Sequence, residues 1–219
     1  MDKEILERES FIEDCTATII DLAKRYISDP LITLELFGGT GQIFLKYLSL
    51  FCNKTIGWEI KGNLRKDFLT NVNNGCFVVK DTVLSLINDS YENLEHDANI
   101  ISIDNPLGLY GEQNQYCEHF DFISYLNKIV RRDTIVAINI VRKPYDYYKH
   151  KKWKSIREKF YNTESSSLDM NKVIKKYLEV FEMQKLNVID YKIVCREKKQ
   201  NLDYFYMLIL AVKKNEDSN

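Results

Sequence analysis

The stretch Leu34–Gln42, LELFGGTGQ, decides how the rest of the chain is read. An apolar run, LITLELF (31–37), gives way to three glycines and then to a helix-forming segment, IFLKYLSLF (43–51). Glycines between a strand and a helix let the backbone approach a ligand closely and expose the amides of the helix N-terminus. A lone glycine cluster says little. The strand–turn–helix setting gives it meaning.

The same alternation repeats downstream. TIGWEI (55–60) precedes the helical segment NLRKDFLTNVN (63–73), and CFVVKD (76–81) precedes TVLSLINDSYENL (82–94). The strand at 99–104 precedes a predicted helix, CEHFDFISYLNKIV (117–130), and DTIVAINIV (133–141) is a fifth strand. Strands alternating with helices predict parallel units with right-handed crossovers, and near-continuous apolar strands fit a sheet covered on both faces. The C-terminus breaks the rhythm. After a helix at about 168–185, NVIDYKIVCREK (187–198) and DYFYMLILAVKK (203–214) are joined by a short, turn-like QNL. Strands so closely linked must be antiparallel. The expectation is an α/β fold, a seven-stranded mostly parallel sheet with helices on both faces and a C-terminal antiparallel hairpin. Residues 1–29 read as an N-terminal helix with Ile12, Cys15, Ile19, Leu22 and Tyr26 on one stripe, ended by Ser28-Asp29-Pro30. Residues 30–219 then form the main domain, with a basic insertion at about 142–167.

Composition bounds the function. A chain of 219 residues, 45% hydrophobic and 29% charged, suits one globular domain. Its net charge of −1 excludes a wholly basic, coat-like nucleic-acid binder but leaves room for a local basic patch. Five cysteines without a C-x-x-C pair, and three scattered histidines, give no metal-ligand cluster. Reduced thiols in a cytoplasmic protein are the expectation. A charged N-terminus and the lack of any apolar run near ~18 residues predict neither signal peptide nor membrane span.

Glu59 ends the second strand, 18 residues beyond Gly41, where a carboxylate can accept from both hydroxyls of a ribose. Asp81 ends the third, where a carboxylate can accept from an adenine amino group. The plain alternative is that both acids merely terminate strands. Taken in order, glycine loop, Glu59 and Asp81 resemble the class I, Rossmann-like S-adenosylmethionine-dependent methyltransferases. The opening motif of such families is an acid followed by glycines; Glu35, Gly39 and Gly41 match it, and Phe37 stands in the first glycine's place. That variant resembles the nucleic-acid base methyltransferases. The resemblance implies S-adenosylmethionine as cofactor, held by Glu35, Phe37, Gly39, Gly41, Glu59 and Asp81.

Asp104-Asn105-Pro106 ends the fourth strand. It resembles the Asp/Asn-Pro-Pro-aromatic motif of amino-methylating DNA and RNA enzymes, which implies catalytic roles for Asp104, Asn105 and Pro106. An exocyclic base amine is a poor nucleophile, and acceptors for its N–H groups aim its lone pair at the methyl. Leu107 and Gly108 stand in place of the second proline and the aromatic, so Tyr110 and Tyr116 are candidates to stack on the base. An Asx-type turn is the plain alternative.

The segment RKPYDYYKHKKWKSIREKFYN (142–162) carries eight cations against Asp146 and Glu158, interleaved with aromatics. Cations contact phosphates and aromatics stack on bases, so Arg142, Lys143, Lys151, Lys152 and Trp153 are candidate contacts to DNA or RNA. A solvated helix with an apolar seam is the alternative. Three functions remain open: a base N-methyltransferase, a non-catalytic methyltransferase-like subunit binding nucleic acid or a protein partner, and a methyltransferase of a protein or small molecule. No target-recognition domain is visible, so a protein partner is a candidate source of specificity.

Overall fold

The structure is a computed structural model and describes residues 3–42, 44–90, 97–105, 108–141, 151–195 and 206–214. Pro106, Leu107, Arg142, Lys143 and the QNL turn (200–202) lie outside the described residues. Seven strands form one sheet: β1 (Ile32–Glu35), β2 (Lys54–Glu59), β3 (Gly75–Val79), β4 (Ile100–Ile103), β7 (Thr134–Ile140), β8 (Leu186–Cys195) and β9 (Tyr206–Lys214). Their order is β3-β2-β1-β4-β7-β9-β8. The first five are parallel, and β9 runs antiparallel to both β7 and β8, so one strand is reversed. The expected sheet is the observed one.

Period-two alternation explains why helices cover both faces. Leu34, Ile56, Ile101, Val136 and Leu210 point to one side, against Leu86, Phe122, Tyr177 and Phe181. Ile100, Ile135, Ala137, Ile209 and Ala211 point to the other, where they meet Ile12, Cys15, Ile19 and Leu22 of α1 (Lys3–Tyr26) and Phe44 and Leu48 of α2 (Phe44–Leu48). A third cluster seats Phe68 and Val72, at and just after α3 (Arg65–Asn71), on Phe77. Among the described residues the remaining α-helices are α4 (Thr82–Ile87), α5 (Lys151–Tyr161) and α6 (Met170–Met183).

One expectation fails. Instead of a helix over 117–130, the chain makes a small ribbon, β5 (Leu109–Tyr110) with β6 (Tyr116–Cys117), then turns, and only a 3-10 helix over Ile123–Lys128. Glu118 has a φ of +50°, and the Asp121 carboxylate accepts from the Cys117 amide at 2.7 Å. A short acidic side chain that binds nearby backbone competes with the helix its neighbours would otherwise form.

Candidate functional site

The strand order reverses between β1 and β4, so a crevice opens beyond their carboxyl ends. On one side lies the glycine loop. Gly39 and Gly41 have φ of +51° and +66°, the left-handed region that favours glycine. Gly41 serves packing, because a Cβ there would stand 2.3 Å from Val72 Cγ2. Gly39 instead borders open space, with only the Phe37 carbonyl, at 3.9 Å, near a Cβ position.

Glu59 organises this loop. One carboxylate oxygen accepts from the Gly39 amide at 3.0 Å and the other from the Lys61 amide at 2.9 Å. Each oxygen keeps a second acceptor site for a ligand hydroxyl. Asp81 caps α4 by accepting from the Leu84 amide at 2.9 Å, and the Thr82 hydroxyl donates to the Leu36 carbonyl, drawing the β3 loop onto β1. Together Leu36, Gly39, Trp58, Glu59, Asp81 and Val83 line a cleft of about 500 Å³. That volume is in the range of small-molecule sites. Its walls are largely apolar, with two carboxylates, Glu59 and Asp81, beside one another in the lining. Phe37, Tyr110 and Tyr116 also line it: the Tyr110 ring meets Phe37 edge-on at 5.9 Å and tilts against Tyr116 at 5.4 Å.

Glu35 lies beneath the loop, 2% exposed, and is absent from the cleft's lining. It accepts from the Phe37 amide at 3.0 Å and the Asp104 amide at 3.3 Å, joining the glycine loop to the end of β4. Burial, and then the Asp104 carboxylate, push its pKa up to about 8, against the pull of the Ser102 hydroxyl and those two amides. Asp104 is exposed, and its carboxylate accepts from the Asn139 side-chain amide of β7 at 2.6 Å. Asn105 is buried, and its side-chain nitrogen, like the Asn139 side-chain oxygen, has no hydrogen-bond partner among the described residues. Cys15 of α1 borders this corner: burial, and then Asp104, push its thiol pKa up.

The basic helix is two-faced. Lys151, Lys152, Lys154 and Lys159 are exposed, whereas Trp153 and Arg157 turn inward. Trp153 Nε1 donates to Glu118 at 2.7 Å, and Arg157 pairs with the same carboxylate. The structure therefore does not bring Trp153 to the cleft, and the inward face is closer to the apolar-seam reading of this segment. Tyr110 and Tyr116 stand in the wall of the cofactor-sized cleft itself.

Asn139 and Glu118 escaped the sequence reading. A lone amide inside the apolar run TIVAINIV was a usable signal for Asn139. Nothing local distinguishes Glu118 from a surface acid. Among the described residues, no cluster could hold a metal ion and no helix is long and apolar enough to cross a membrane.

This sheet order, its reversed strand and the crevice beyond β1 and β4 define the Rossmann-like S-adenosylmethionine-dependent methyltransferase fold. Solved structures agree. Burkholderia thailandensis 1,6-didemethyltoxoflavin-N1-methyltransferase, with 1,6-didemethyltoxoflavin and S-adenosylhomocysteine bound, is similar with a TM-score of 0.56 and 10% identity, over 94% of this chain and 80% of that one. The N-methyltransferase NodS of Bradyrhizobium japonicum WM9 is similar with a TM-score of 0.55 and 11% identity, over 94% of this chain and 98% of that one. M. jannaschii TYW2 in complex with AdoMet is similar with a TM-score of 0.52 and 12% identity, over 90% of this chain and 76% of that one. No family model and no curated protein matches the chain.

Proposed function

We propose that this protein is an S-adenosylmethionine-dependent methyltransferase that methylates an exocyclic amine of a DNA or RNA base. The observation carrying this is one cleft of about 500 Å³ that unites Gly39, Glu59 and Asp81 beyond the carboxyl ends of β1, β2 and β3. Glu59 would hold the ribose hydroxyls, Asp81 the adenine amine, and Leu36, Trp58 and Val83 the ring faces. When bound, the cofactor supplies an electrophilic methyl group on a sulfonium.

The chain's own residues do the rest. Asp104, fixed by Asn139, would accept an N–H of the target amine, keep the nitrogen lone pair unshared, and take up the proton that the methylated nitrogen sheds. Glu35, held neutral near pH 7 by burial, adds no second negative charge beside Asp104. The exposed lysines of α5 suit phosphates. Support for a nucleic-acid substrate comes from those lysines and from the Asp104-Asn105 strand end.

Calorimetric titration with S-adenosylmethionine tests the cofactor assignment, with Glu59→Ala as the variant. Binding by the wild type that Glu59→Ala loses is expected. A folded wild type that releases no heat would overturn the enzyme reading and leave a non-catalytic methyltransferase-like subunit. Radiolabelled methyl transfer to separate DNA and RNA pools follows, and Asp104→Ala should abolish it. Substrate affinity that falls steeply with salt marks a polyanion; a flat response marks a small or protein substrate.

A further inference from the structure

The ribbon β5–β6 forms a wall of the cleft through Tyr110, Gly111, Glu112 and Tyr116. It is paired over only two registers, Leu109 with Cys117 and Tyr110 with Tyr116. A two-stranded ribbon of that length has little stability of its own. Something else must hold it against the cleft.

Glu118 supplies the hold. Its amide donates to the Gly108 carbonyl at 3.0 Å, closing the base of the ribbon. Its carboxylate, on a residue 1% exposed, accepts from Trp153 Nε1 and from Arg157, both on α5. Arg157, also 1% exposed, donates in addition to the Val141 carbonyl at the end of β7 and lies over the Phe120 and Tyr161 rings, at 5.9 and 5.4 Å. The φ of +50° at Glu118 is costly for a side chain with a Cβ and persists only where surroundings over-determine it. At the tip, Lys152 Nζ donates to the Asn114 carbonyl at 2.9 Å. The helix that displays lysines to solvent therefore grips the ribbon at both ends.

We propose that Glu118 is a positioning residue that pins the β5–β6 ribbon to α5, so that ligand affinity in the cleft depends on the lysine-bearing helix. The inference takes the identity of the ligand from the function proposed above; the pinning itself rests on the contacts alone. A buried carboxylate with two charge-assisted or polar donors fixes one geometry, and removing its charge weakens its hold on both donors.

Hydrogen exchange read by mass spectrometry, with calorimetry using S-adenosylhomocysteine, tests this on wild type, Glu118→Gln and Lys152→Met. The expected result is faster exchange over 109–117 in both variants, greater for Glu118→Gln, with α6 and the central strands unchanged. Affinity should fall in parallel, within the range of about 5- to 150-fold seen for coupled sites. Folded variants with wild-type exchange over 109–117 would overturn the pinning. Faster exchange with undiminished affinity would overturn the link to the cleft. Lys152 is exposed, so Lys152→Met still decides whether the cleft depends on the grip of α5 on the ribbon if Glu118→Gln does not fold, and Trp153→Phe, which removes one donor to Glu118, then reads the pinning itself. A wild type that binds no S-adenosylhomocysteine sinks the cofactor reading, while exchange still decides the pinning.

Discussion

Replacing Glu35 by glutamine should make the protein more stable at neutral pH, by an amount that grows with pH. Glu35 is 2% exposed, and its folded-state pKa is raised from 4.5 to about 8, first by burial and then by the Asp104 carboxylate. Below pH 4.5 folded and unfolded chains both carry the proton, so the group has no effect on the pH dependence. Between 4.5 and about 8 the unfolded chain has released a proton that the folded chain retains, so stability falls as pH rises, by roughly 1.4 kcal/mol per pH unit. The accumulated loss is about 3 kcal/mol at pH 7 and levels off near 5 kcal/mol above pH 8. Glutamine keeps an oxygen for the Phe37 and Asp104 amides, can donate to the Ser102 hydroxyl, and has no proton to release. Denaturant unfolding of wild type and Glu35→Gln from pH 4 to 9 should give curves that separate through that window. At pH 7 the gap corresponds to roughly 6–12 °C in Tm for a chain of this size. Parallel curves from pH 4.5 to 8 would refute the reasoning, because they would mean that Glu35 is ionised and hydrated in the folded protein.

Gly41→Ala combines left-handed strain with a Cβ 2.3 Å from Val72 Cγ2 and should cost about 3 kcal/mol in urea unfolding. Gly39→Ala meets open space and should cost only about 1 kcal/mol, yet weaken S-adenosylhomocysteine binding more than tenfold by intruding on the cleft. His119 is buried and, through burial and then the Arg157 guanidinium, has its pKa lowered to about 3. The unfolded chain takes up that proton below 6.5 while the folded chain resists, so wild type should lose about 2 kcal/mol between pH 6.5 and 5 that His119→Gln does not lose. Asn139→Ala frees the Asp104 carboxylate from its 2.6 Å bond and should lower the methyl-transfer rate about 10- to 100-fold, with calorimetric cofactor affinity unchanged.

Much of the fold is written in local pattern. Strand and helix periods, the glycines after β1 and the turn-like QNL predict the parallel strands and the reversed one, though not their order in the sheet, because period, turn chemistry and link length act over neighbouring residues. Glu59 and Asp81 were legible for the same reason: their positions at strand ends follow from where the apolar runs stop. Tertiary structure alone decided the rest. Trp153 looked like a nucleotide-stacking residue until Glu118, 35 positions away, turned it inward, and the 117–130 helix gave way to turns and a 3-10 helix after Cys117 pairs in the ribbon. Glu35 and Asp104 are 69 residues apart yet share a corner, and Asn139 joins them from a third strand. Desolvation and pairing between distant segments set the charge and orientation of such groups, and neither quantity exists until the chain is folded.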